Sequence, residues 1–242
     1  MCTYLPSSLF AIALLLGGCS HAETRDGREA ESGTVPPALG TAEGLAEDVQ
    51  DDIDTLGWAA AGAKVAQLRR GEASVGQAVR ADSAEDADHD SGASDTTAAD
   101  TDEQELATYR RAVDSLGARV ERRDRLAALT SANTLSRVLA AMSADYRSRV
   151  PVQVALLDVA GRDAIYAAED GRWSEAAAAV RELRSTYAQV SGHVTKAQRP
   201  LNDRFRQTLD ALAGAVSKQD VTQARREATS LLDDVDLIEG TY

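Results

Sequence analysis

Alternating aspartates are the nearest this chain comes to a metal site. In Asp86-Ala87-Asp88-His89-Asp90-Ser91-Gly92, carboxylate oxygens recur at every second position, and hard oxygen ligands in that rhythm suit Ca²⁺. A complete calcium loop needs a glycine at its sixth position and a bidentate glutamate at its twelfth. Those places hold Ser91 and Thr97. Asp and Ala are so frequent around this stretch that the spacing arises readily, so no metal is assigned to Asp86, Asp88 and Asp90.

Three histidines are the other metal-capable groups, and they are scattered: His21, His89 and His193. Bundle metal sites commonly place a Glu three residues before a His. Val190 holds that place ahead of His193. Only two methionines occur, one of them Met1, which excludes a Met-rich copper site. Neither a Gly-Xaa-Ser-Xaa-Gly elbow nor a phosphate-cradling glycine loop is present in usable context, nor is a Ser/His/Asp set. Tyr166 and Tyr187 read as residues at the edge of a core rather than as acid catalysts. The chain is therefore expected to be non-catalytic and to carry no cofactor. The one cationic cluster is Arg119-Val120-Glu121-Arg122-Arg123-Asp124-Arg125. It reads as a solvated helix face, with docking of an acidic segment or of anionic lipid headgroups as alternatives.

The elements that would carry such groups are helices throughout. Ala is abundant and aromatic residues make up 4% of the chain, so packing must rely on small-residue helix contacts. Apolar positions at Trp173, Ala177, Val180, Leu183, Tyr187, Val190 and Val194 alternate in steps of three and four, the seam of a helix in a bundle. The spacing recurs at Val221, Ala224, Ala228, Leu231, Val235 and Ile238. Partner helices precede each, through Val154, Leu157, Gly161, Ala164 and Ala168, and through Leu201, Phe205, Leu209, Leu212 and Val216. Pro151 and Pro200 open helices, while Asp170-Gly171 and Asp220 mark turns. Upstream, Trp58, Ala61, Ala63, Val65 and Leu68 match Trp173, Ala176, Ala178, Val180 and Leu183 offset for offset. Duplicated helical hairpins would give this pattern, each with Trp under a turn. The frequency of Ala leaves coincidence as the alternative. Between Asp82 to Glu105, an acidic stretch, and the hairpins from Pro151 onward, Tyr109, Val113, Leu116 and Val120 form one stripe and Leu135, Leu139, Met142 and Tyr146 another. The two frames differ, which predicts a break near Thr130 to Thr134. The fold class expected is all-α, an antiparallel helical bundle built from αα-hairpins.

The leader places this bundle. An apolar run, Leu9 to Leu16, is far shorter than the roughly 20 residues that span a hydrocarbon core, so it reads as a cleavable signal. It closes on Leu16-Gly17-Gly18-Cys19. This tetrapeptide resembles the lipobox of bacterial lipoproteins, although Met1 to Ser8 lack the Lys or Arg usual in a signal. An ordinary secretory signal and an uncleaved N-terminus are the alternatives. The resemblance implies diacylation of the Cys19 thiol and cleavage before it, leaving a lipid anchor on the bilayer. It also implies a periplasm-facing protein, with the outer membrane favoured because Ser20, not Asp, follows the cysteine. Several acyl chains at about 0.8 kcal/mol per buried CH₂ make such anchoring stable. Cys2 would leave with the leader, so the mature chain could form no disulfide.

These readings divide the chain into a signal peptide over 1–18, a flexible tether over 19–41 and a helical hairpin over 42–80. An acidic disordered linker over 81–104 and a helical bundle over 105–242 complete it. Asp82 to Glu105 hold ten carboxylates and no Lys or Arg, while the whole chain carries −13. The remainder is thus nearly neutral, and the acidity argues against nucleic acid as a partner. The function expected is that of a membrane-anchored periplasmic accessory module that binds another protein. A bundle binding a small ligand or metal is the alternative.

Overall fold

The computed structural model describes residues 34–87, 95–144, 146, 150–191 and 199–242, with backbone alone for 82–87 and 95–100. Residues 31–242 belong to one compact unit. Eight helices occur among the described residues: α1 (Pro37–Asp54), α2 (Trp58–Ala87), α3 (Asp95–Arg122), α4 (Arg125–Met142), α5 (Val152–Glu169), α6 (Trp173–Val190), α7 (Arg199–Ser217) and α8 (Val221–Glu239). The fold is an all-α bundle of antiparallel hairpins, as the seam spacing predicts.

Each hairpin closes on the same turn. Leu56, Arg123, Gly171 and Gln219 take left-handed φ values of 61°, 54°, 71° and 56°. The N–H groups of the residues that follow, Gly57, Asp124, Arg172 and Asp220, each donate to the carbonyl five residues back, at 2.6, 3.2, 2.8 and 3.0 Å. This Schellman geometry satisfies carbonyls that a helix end leaves open and reverses the chain at once. Asp124 and Asp220 also cap the next helix, accepting from Ala127 N (3.3 Å) and Gln223 N (3.0 Å). Three residues into each second helix stands a fully buried alanine, Ala61, Ala128, Ala176 or Ala224. Buried Leu68, Leu135, Leu183 and Leu231 follow at one common offset.

Four equivalent hairpins therefore exist among the described residues. Arg125 and Val221 head two of them in the place that Trp58 and Trp173 take in the others. Helices α1 to α4 pack in a ring, each against the next and α4 against α1, and α5 to α8 form a second ring in the same way. α5 also packs against α4. α5 consequently buries residues around most of its circumference, with Leu157, Gly161, Ala164 and Ala168 in line and Val159, Ile165 and Tyr166 beside them. A helix apolar nearly all round is one enclosed by neighbours. At Gly161 the approach of α8 is so close that a Cβ would stand 2.6 Å from Leu232 Cδ2.

Several expectations need correction. The chain does not break at Thr130 to Thr134; it turns at Arg123-Asp124. The hydroxyls of Thr130 and Thr134 bond back to Leu126 O and Thr130 O, both at 2.9 Å, so they are absorbed within α4. The tether over 19–41 is too long, because Val35 already packs on the core and Pro37 opens α1, with Leu39 fully buried. Proline at the first helical position gives up an N–H that would have no partner there. In the segment expected as disordered over 81–104, residues 81–87 and 95–104 are helical. Nearby Glu103 pairs with Arg80 (3.4 Å) and Arg110 (3.2 Å), tying α2 to α3. Trp58 and Trp173 are half-buried rather than buried, and Val221 is 39% exposed.

Candidate functional site

Polar side chains concentrate where the first ring meets the second. On α1 the residues Glu43, Glu47, Gln50 and Asp54 are spaced four, three and four apart, a stripe that lies along one side of a helix. Gln50 is buried, and its side chain donates from Nε2 to Ser136 Oγ of α4 (3.3 Å) and accepts at Oε1 from the Tyr166 hydroxyl of α5 (3.2 Å). Asn133 of α4 is fully buried and donates to Val159 O (2.9 Å) and Asp163 Oδ1 (2.7 Å) of α5; its own Oδ1 has no partner among the described residues. One turn on, Arg137 pairs with Asp163 (2.8 Å) and with Glu182 of α6. At the hairpin-turn end, Arg125 pairs with Asp54 (2.7 Å) and Glu169 (3.2 Å), and Arg225 of α8 reaches Glu169 (3.2 Å).

Toward its other end the same junction is acidic. Asp158 of α5 is paired with Arg162 (2.8 Å). Burial raises the Asp158 carboxyl above the usual carboxylate range, and Asp236 and Glu239 of α8 push it further up against the pull of Arg162. Burial likewise raises Glu43, with added repulsion from Glu239 and Asp158. Glu47 is also raised, by desolvation first, with Arg162 opposing. Tyr166 is pushed far above its ordinary value by burial. This tyrosine is locked in the interface and is poorly suited to give up a proton.

A second concave feature lies within the first ring. α1 and α2, with Tyr109 of α3 as part of the floor, bound a groove of about 590 Å³. Ala42, Leu68, Val75 and Tyr109 supply buried apolar surface, and Arg70 stands at the rim. The Tyr109 hydroxyl donates to Leu68 O (3.2 Å), and burial pushes its pKa up to about 12. Tyr187 in the second ring stacks on Phe205 with ring centres 4.0 Å apart, and its hydroxyl bonds Asn202. Its pKa too is pushed up to about 12, chiefly by burial.

Comparison with known protein families, with curated proteins and with solved structures gives no match. The site must be read from its own geometry.

Of the residues singled out from sequence, Cys19, His21, Asp88, His89, Asp90 and His193 lie outside the described residues. Asp86 falls on α2, where only the backbone is described. Tyr166 and Tyr187 are both buried side chains at helix contacts. The Arg119 to Arg125 cluster spans the α3–α4 turn, and Arg125 is drawn into the ion pairs between the rings. Among the described residues, no three His, Cys, Asp or Glu come together in a way that could hold a metal ion. No helix among them is long and apolar enough to cross a membrane. The polar stripe on α1 is as regular in its spacing as the apolar seams. Periodicity analysis that follows apolar residues alone passes over it.

Proposed function

We propose that this chain is a lipid-anchored protein of the bacterial envelope whose paired four-helix rings act as a non-catalytic module for contact with another protein. The observation that carries this reading is Leu16-Gly17-Gly18-Cys19 at the close of an apolar run, ahead of a folded unit whose first helix starts at Pro37. Acylation of Cys19 would hold the bundle at a bilayer surface, with the periplasmic face of the outer membrane favoured by Ser20. A stack of hairpins joined by a polar, hydrogen-bonded junction supplies a stiff scaffold, and scaffolds of this kind commonly work through their surfaces.

Metabolic labelling with an alkyne-bearing palmitate analogue tests the anchor. The wild-type chain should take up label and sediment with membranes, and Cys19→Ala should lose the label and move to the soluble periplasmic fraction. An unlabelled wild-type chain, or a Cys19→Ala variant that stays on the membrane, would overturn the reading.

The groove of about 590 Å³ favours a second reading, that of a bundle binding a small ligand, since ligand sites are typically apolar clefts of this size with a few polar groups. Native mass measurement of the purified chain separates the two readings. A ligand-sized excess supports the second.

A further inference from the structure

We propose that the groove between α1 and α2 binds a single-chain anionic amphiphile, with the hydrocarbon tail along the trough and the head group on Arg70; this rests on the ligand-binding reading above and names its chemical class. The shape is the first argument. The trough follows α1 from Pro37 to Leu45 and α2 from Gln67 to Val75, which at 1.5 Å per residue is about 12 Å of helix on each side. Two antiparallel helical walls flank an open groove of that length, which suits a linear chain.

The lining is the second argument. Leu68, Val75 and Tyr109 are each only 1% exposed, so the floor belongs to the core. Small residues keep the trough open above it: Ala38 and Ala42 on one wall, Gly71 and Ser74 on the other. A Cβ placed on Gly71 would meet nothing within 4 Å, so the space over that residue is real. The apolar surface still open to water is that of Pro37, Ala38 and Leu45 along the α1 wall, and it gains on contact with a hydrocarbon.

Charge is the third. Arg69 and Arg80 on the same helix are paired with Asp114 and Glu103, whereas among the described residues no carboxylate pairs with Arg70. In a chain of net charge −13, an arginine left over at the rim of an apolar trough is complementary to a carboxylate or phosphate head. A free fatty acid and a single-chain phospholipid share that chemistry, and the probes below separate them.

The test is calorimetric titration of the full chain carrying Cys19→Ser, in buffer without detergent, with dodecanoate, dodecyl phosphate and dodecyltrimethylammonium below their micelle concentrations. The anionic probes should bind saturably, one per chain, with the cation weaker by about fivefold or more. The tighter of dodecanoate and dodecyl phosphate identifies the preferred head. Gly71→Leu should fill the trough and weaken binding roughly tenfold while keeping the helical circular dichroism and melting no lower than wild type, since Leu is the better helix former. Arg70→Glu should remove the preference for anions. Equal affinity of wild type and a folded Gly71→Leu variant would overturn the location, and equal affinity for cation and anion would overturn the head-group assignment. If no probe binds while native mass shows a ligand-sized excess, this proposal fails and the ligand-binding reading stands. Failure of both measurements removes both.

Discussion

Four residues at the hairpin turns share one backbone conformation, yet only one of them is a glycine. Gly171 pays no steric penalty at φ 71°, whereas Leu56, Arg123 and Gln219 hold a Cβ against the following carbonyl, a strain of about 1–2 kcal/mol for an L-residue in this region. Leu56 is also 63% exposed and gives up little packing when truncated. Leu56→Gly should therefore stabilise the chain by about 0.5–1 kcal/mol, the relief of strain being partly offset by the greater freedom of glycine in the unfolded state. Gly171→Ala should cost about 1 kcal/mol, since nothing crowds the new methyl group but the backbone is strained. For a domain of this size the corresponding shifts in melting temperature are about 1–4 °C upward and about 2–4 °C downward. A Leu56→Gly variant that melts below wild type would show that the turn is held by something other than the hydrogen-bond pattern it shares with its three counterparts. These residues also mark what the sequence could tell. Asp170-Gly171 announces its turn because glycine suits left-handed φ, while Arg123-Asp124 hides the same turn behind a residue with no such preference.

Helices carry the next level of information, and here apolar spacing proved a sound guide to which residues are buried. Tyr109, Val113, Leu116 and Val120 on α3, and Phe205, Leu209, Leu212 and Val216 on α7, all lie inside as their spacing predicts. The polar stripe of α1 was equally regular, but its role depends on which helix it faces, and no local pattern states that. Glu43 shows the consequence. Its carboxyl is raised above the ordinary value of 4.5 by burial and by Glu239 and Asp158. A carboxyl whose folded pKa lies above its unfolded one favours the folded state at low pH, and that contribution is lost as pH rises through the folded value. At neutral pH the charged Glu43 thus weighs against folding. Glu43→Gln should raise the urea midpoint at pH 7 and bring the two proteins together as pH falls toward 4.5. Unfolding curves across that range check it, and a Glu43→Gln variant less stable than wild type at pH 7 would mean that the carboxylate makes a favourable contact which outweighs its desolvation.

At the scale of the whole molecule, two rings of four helices meet where α5 packs on α4, and their junction combines apolar burial with a hydrogen-bonded core of Gln50, Asn133, Ser136 and Tyr166. Polar groups buried in this way fix the register of surfaces that small apolar residues alone would let slide, since each alternative alignment leaves donors and acceptors unmatched. Unfolding the first ring would bare the side of α5 that holds Tyr166 and Val159, so the rings should unfold together. The sequence supplies its own reporters. Its two tryptophans fall one to each ring, Trp58 at the start of α2 and Trp173 at the equivalent place in α6. Trp173→Phe leaves a fluorophore that follows the first ring, and Trp58→Phe leaves one that follows the second. In otherwise wild-type protein the two urea transitions should coincide. Replacing Asn133 and Arg137 together by alanine removes the hydrogen bonds to Val159 and Asp163 and the ion pairs to Asp163 and Glu182. Because those ion pairs are about one-third exposed, most of the cost should come from Asn133, about 1–3 kcal/mol for partners left unpaired in a buried contact. In that background the Trp58 and Trp173 transitions should separate. Transitions already apart in the wild-type background would show that each ring stands by itself and that the polar junction sets alignment without coupling stability.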